Sequence, residues 1–164
     1  MNRNAFCAVL LHLAAIVSLS QTAWAAGDYK LELAVSDGTH QQAIAGPTTA
    51  PATQPILPQR PSVSFSLDSK LTAKWKVTYT AKAATKDALV HFYVVRTERP
   101  NQAPPALAPA AVLLETAQTL DFESNGTTSA ELGFRPLEPG VYLVRLEAHG
   151  ESDESFVEMD LIVK

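Results

Sequence analysis

The chain has 164 residues, with 13 basic and 17 acidic side chains for a formal net charge of −4, and a single cysteine. It is long enough for one packed domain, and its acidic balance argues against a nucleic acid partner. The lone Cys7 lies early in an N-terminal apolar run, so disulfides, thiolate catalysis and cysteine-ligated zinc or copper are excluded from the rest of the chain.

Residues 1–25 carry the three parts of a secretory signal: Arg3, the mainly apolar run from Ala5 to Leu19, and Ala23-Trp24-Ala25 as an A-x-A cleavage site. Cleavage is expected near Ala25/Ala26, which makes the protein secreted or periplasmic. The run is shorter than the roughly 20 residues of a spanning helix, and no later stretch is long and apolar. The mature protein is therefore expected not to span a membrane. Its charge is −5, from 12 basic and 17 acidic residues once Arg3 is removed.

Residues 26–61 read as a short strand, Tyr29 to Val35, followed by a linker or long loop from Ser36 to Pro61. Prolines 47, 51, 55, 58 and 61 favour an extended backbone that buries too little apolar surface to order itself. From Ser62 to Lys164 the period is two almost throughout, the signature of half-buried strands. Ser62 to Leu67 alternates, and Lys74 to Thr80 puts Trp75, Val77 and Tyr79 on one face with Lys74 and Lys76 on the other. Ala88 to Glu98 is apolar on both faces, as in a central strand covered twice, with Val90, Phe92 and Val94 expected inside. Val112 to Glu115 is readable as a strand or a helical turn. Asn125-Gly126 predicts a hairpin into Thr128 to Phe134. A Pro139-Gly140 corner then opens a strand with Tyr142, Val144, Leu146 and Ala148 inward, and the last strand carries Val157, Met159, Leu161 and Val163.

Leu137, Pro139-Gly140 and Tyr142 stand at the spacing of a tyrosine corner, and Trp75 sits in an early long strand. In both respects residues 62–164 resemble fibronectin type III and bacterial extracellular immunoglobulin-like domains. The resemblance implies an antiparallel all-β sandwich of about seven strands, with Tyr142 bonding back to backbone upstream and Trp75, Pro139, Gly140 and Tyr142 as structural residues. The paired cysteines of antibody-type domains are absent.

Candidate chemistry is sparse. His40, His91 and His149 have no metal-site spacing, although His91 and His149 fall on or beside strands and Met159 adds a soft ligand. These three are the metal candidates, against the expectation that no metal or other cofactor binds. There is no Gly-x-Ser-x-Gly elbow and no phosphate loop, and the Asp153-Glu154 pair reads as a solvated turn. No enzyme is expected. From Arg60 to Arg99 there are eight basic residues against three acidic, and from Glu115 to Asp160 two against eleven. Lys74, Lys76 and Lys82 are expected to form one exposed stripe for an oppositely charged partner, or to pair across strands with the acidic half. Arg96 to Pro109 is a long loop in which Arg96, Arg99, Asn101, Gln102 and Leu107 are partner-contact candidates. The expected function is a secreted non-enzymatic module that binds or scaffolds an unidentified protein or envelope polymer. The alternative is a periplasmic metal-binding or carrier protein.

Overall fold

Alternation of apolar and polar residues becomes nine strands: β1 Tyr29–Ser36, β2 Gln41–Gly46, β3 Ser62–Phe65, β4 Leu71–Tyr79, β5 Thr85–Thr97, β6 Val112–Phe122, β7 Thr127–Phe134, β8 Gly140–His149 and β9 Glu154–Val163. The structure, a computed structural model, describes residues 28–46, 59–150 and 154–164. The signal, its cleavage site and most of the proline tract lie outside the described residues. The strands form a four-stranded sheet, β2-β1-β4-β7, and a five-stranded sheet, β3-β9-β8-β5-β6. Tyr29, Leu31, Leu33 and Val35 of β1 pack in one core with Trp75, Val77, Phe92, Val144, Leu146, Met159 and Leu161. This is the expected immunoglobulin-like sandwich.

The sequence reading is corrected at the start of the domain, in the linker, in the orientation of β3 and at the Asn125-Gly126 turn. The sandwich starts well before Ser62: β1 lies between β2 and β4 and pairs with β4 over its whole length, Leu33 opposite Trp75. Gln41–Gly46, assigned to the linker, is an edge strand antiparallel to β1. The seven strands expected from Ser62 onward are β3 to β9; β1 and β2 bring the sandwich to nine, and β3 runs parallel to β9 while the other pairs are antiparallel. Asn125-Gly126 does turn the chain, with Asn125 at φ 60°, but it makes no hairpin. The Gly126 N–H donates to Glu123 O and Gly126 O accepts from Tyr79 N, which fastens the turn to the end of β4. β7 therefore pairs with β4 in one sheet while β6 pairs with β5 in the other.

The apolar double face of β5 is explained by a second, smaller cluster. Val90, Phe92 and Val94 face the main core, whereas Tyr93 and Val95 join Leu143 on the outside under Leu107, Ala111 and Val112. The 98–111 segment thus covers one end of the five-stranded sheet. At the corner before β8 the Tyr142 hydroxyl donates to Glu138 O at 2.8 Å, as the resemblance implied. Arg96 braces the same corner by pairing with Glu138 and donating to Pro139 O. Tyr142→Phe removes one hydrogen bond from a buried ring and is expected to lower stability by about 1 kcal/mol in chemical denaturation. A loss of no more than a few tenths would assign the corner to Pro139-Gly140 and Arg96 instead.

Candidate functional site

Each sheet turns an outer face away from the core, and the two differ in character. On the four-stranded sheet, β1 carries Glu32 and Ala34 outward, with Ala45 and Ala43 of β2 opposite them on one side and Lys76 and Lys74 of β4 on the other. These side chains bound an open trough of about 630 Å³. Its floor is the methyl groups of Ala34, Ala43 and Ala45 together with Glu32, whose carboxylate pairs with Lys30 at 3.2 Å, so a ligand lying over the alanines approaches the backbone closely. Lys74 reaches across to Glu131 at 3.0 Å with both side chains largely exposed, a pairing worth little against solvation. Lys76 is exposed and makes no ion pair among the described residues. Lys82 does not continue the stripe, because β4 ends at Tyr79 and Lys82 sits in the bend beyond it.

The five-stranded sheet carries a connected polar network on its outer face. Alternation sends Arg145, Glu147 and His149 of β8 outward; β9 sets Glu158 opposite Arg145 and Glu154 opposite His149, and β5 sets His91 opposite Glu147. Arg145 is the hub. Its guanidinium pairs with Glu147, contacts Glu158 at 3.1 Å and Glu154 at 3.3 Å, and stacks 3.9 Å from the Phe156 ring centroid. Glu147 takes hydrogen bonds from the Tyr93 hydroxyl at 3.2 Å and from His149 Nε2 at 3.1 Å. Burial would raise the Glu147 carboxyl, but the His149 hydrogen bond, the Arg145 charge and the Tyr93 hydroxyl together hold it below the ordinary glutamate range. The Tyr93 hydroxyl is driven well above the usual tyrosine value, chiefly by burial, with the Arg145 charge pulling it down and Glu147 and Glu158 adding to the rise.

At the covered end of this face a second cation is clasped. Arg60, just before β3, contacts Glu158 and Asp160 at 3.2 Å each and donates to Gln102 O at 2.6 Å. Asp160 is fully buried, and it also accepts the Asn101 backbone N–H at 2.8 Å. The Asn101 side-chain oxygen in turn accepts the Arg60 N–H.

These contacts redistribute the residues singled out from sequence. Arg96 bonds to the corner, Asn101 and Gln102 to the Arg60–Asp160 clasp, and Leu107 packs on the smaller cluster. Of that set Arg99 alone is exposed with no side-chain hydrogen bond or ion pair among the described residues. His91 and His149 do come together, on either side of Glu147. Met159 does not join them: it shares the inward side of β9 with Val157 and Leu161 and is fully buried in the main core, on the opposite face of the sheet. Glu154 is no turn residue either, since it opens β9 and pairs with Arg145. Sequence reasoning missed Arg60, Tyr93, Glu115, Arg145, Glu147, Glu158 and Asp160. The parity of β8, with charges at every second position between apolar neighbours, is the signal for Arg145 and Glu147.

No protein-family model matches the chain, and no curated protein matches it. Among solved structures it is similar to the C-terminal domain of Wzt, at 9% identity over 86% of this chain and 76% of that one, with a TM-score of 0.46. It is also similar to a CARDB domain from Pyrococcus furiosus, at 12% identity over 65% and 88% of the two chains and a TM-score of 0.43. The soluble domain of PmoD from a Methylocystis species shares 14% identity over 82% and 90%, again with a TM-score of 0.43. Likenesses of this size say nothing about what the chain binds or does.

Proposed function

We propose that the protein is an exported, non-enzymatic sandwich module that binds an anionic, extended component of the cell envelope or its surroundings along the trough of the four-stranded sheet. The observation that carries this reading is the trough itself: a floor of three alanines and Glu32, open at the surface, with the Lys74 and Lys76 ammonium groups along one side. Small floor residues, Lys76 with no ion pair among the described residues, and the exposed Lys74, held to Glu131 only by a solvated pair, suit a long ligand whose charge is read at several points, and association of that kind is steered by charge and weakened by salt. Export is supported by the signal pattern of residues 1–25, and no helix among the described residues is long and apolar enough to cross a membrane. The non-enzymatic reading is supported by the imidazoles of His91 and His149, whose hydrogen-bond partners among the described residues are carboxylates rather than hydroxyl nucleophiles.

The test is retention of the mature protein on an immobilised anionic envelope fraction at low salt. Lys76→Glu and Ala43→Trp are both on exposed positions and are expected to leave the melting temperature unchanged while lowering retention by about tenfold, as losing roughly 1.4 kcal/mol of binding does. Wild-type retention that survives both substitutions in folded protein, or that is absent at low salt, overturns the reading.

A further inference from the structure

On the opposite outer face, at the end of the five-stranded sheet away from the 98–111 segment, we propose a site for one divalent transition-metal ion of zinc's chemistry, held by His91 Nδ1, Glu147 Oε2, His149 Nε2 and a carboxylate oxygen of Glu154. This goes beyond the trough and does not rest on it. Three neighbouring strands supply the ligands, and one ligand atom each from Glu147, His149 and Glu154 already lie within 4.8 Å of one another.

The geometry of Glu147 is the first argument. Its Oε1 is occupied by Arg145 Nε and the Tyr93 hydroxyl, which leaves Oε2 to face both imidazoles, His149 Nε2 at 3.1 Å and His91 Nδ1 at 3.7 Å. The longer spacing is beyond a hydrogen bond, and at the shorter one the ion replaces the proton on His149 Nε2, which is released while the ring keeps its proton on Nδ1. A tetrahedral zinc ion with bonds of about 2.0 to 2.1 Å sets its ligand atoms about 3.3 Å apart, between the two observed spacings.

The second argument is the far side of His91. Its Nε2 lies 2.9 Å from Glu115 Oε1. An ionised carboxylate only accepts, so Nε2 carries the proton and Nδ1 of the neutral ring presents a lone pair towards Glu147. A carboxylate on the outer nitrogen is also how metal-binding histidines are commonly oriented.

Charge points the same way. The carboxylates of this network, Glu115, Glu147, Glu154, Glu158 and Asp160, are met among the described residues by the guanidinium groups of Arg60 and Arg145, a balance of −3 with neutral imidazoles. Arg145 touches Oε1 of Glu154 and Oε1 of Glu147, so the second oxygen of each stays open to the ion, and Glu158 and Phe156 hold the guanidinium in place. Imidazole and carboxylate without thiolate or thioether favour zinc(II) over copper(I), and Met159 faces the core.

The mature protein, freed of metal with chelator, is titrated with Zn²⁺ by calorimetry and with Co²⁺ by visible absorption. One equivalent of Zn²⁺ binding at about 1 µM or tighter is expected, together with tetrahedral Co²⁺ bands. His91→Ala and His149→Ala are each expected to weaken binding by more than about tenfold, and Glu115→Gln, which touches only the outer nitrogen, by about tenfold. Met159→Leu is expected to leave affinity unchanged. No heat with Zn²⁺ and no Co²⁺ bands in protein with a native circular dichroism spectrum overturns the proposal. So does affinity unaffected by both histidine substitutions, or equal binding of Ca²⁺, which would mark an oxygen-only acidic patch.

Discussion

Asp160→Ala is expected to lower stability by about 3 to 5 kcal/mol, the cost of removing one member of a buried ion pair and leaving the other without its counter-charge. Arg60 is left with Glu158 and the Gln102 carbonyl, its side chain only 7% exposed, and the Asn101 backbone N–H loses its acceptor. For a domain of this size that corresponds to a fall in melting temperature of about 10 to 20 °C. The damage is also expected to be localised. The clasp fastens the covering loop, through Asn101 and Gln102, to the β3–β9 pair at Arg60, Pro61 and Glu158 to Asp160. With it broken, amide exchange should rise first at residues 98–111 and along β3, while β8 stays protected. Asp160→Asn keeps an acceptor for Asn101 and loses only the charge, so it should fall between wild type and alanine. A loss under 1 kcal/mol for Asp160→Ala would show that water reaches the clasp and that Arg60 is not desolvated.

The clasp also marks the boundary of what alternation reveals. In β4, β7, β8 and β9 the side chains expected inside are the ones buried or half-buried in the core, because period two assigns faces without reference to any partner strand. Met159 belongs to that legible set. It shares parity with Val157 and Leu161, so its place in the core, and its separation from the histidines, follow from the strand pattern itself. Asp160 has outward parity, and its full burial depends on a loop folding over it from nearly sixty residues away. The meeting of His91 with Glu147 requires the β5–β8 register, and that of Glu154 with His149 the β8–β9 register. Neither register is written in one strand. β2 escaped for a different reason: Gln-Gln-Ala-Ile-Ala-Gly offers one large apolar side chain, Ile44, and its pairing depends on the central strand β1. The corner at Tyr142 was legible because its elements lie within six residues, and its hydrogen bond spans only four.

A chain beginning at Ser62 is expected not to fold, although it contains the tyrosine corner and the seven strands β3 to β9. It lacks β1, and with β1 go Tyr29, Leu31, Leu33 and Val35, each no more than 2% exposed in the intact core. At about 1.5 to 3 kcal/mol apiece, these four side chains contribute roughly 6 to 12 kcal/mol of burial. That is as large as the whole net stability of a typical domain, about 5 to 15 kcal/mol. Removing β1 also strips the hydrogen-bonding edge of β4 from Leu71's neighbour Thr72 to Tyr79 and uncovers Trp75 and Val77. The single substitution Leu33→Ala samples the same loss at one position and is expected to cost about 2 to 5 kcal/mol while still permitting folding at low temperature. Trp75 makes the outcome easy to read, because the only other tryptophan, Trp24, precedes Ala25. In the 28–164 chain its emission should be that of a buried indole, in the 62–164 chain that of a solvated one, and adding a peptide of residues 28–46 should move it back in proportion to peptide bound. A 62–164 chain with blue-shifted emission and a cooperative unfolding transition would show that β4 can serve as a sheet edge, and that β1 and β2 are additions to a core complete without them.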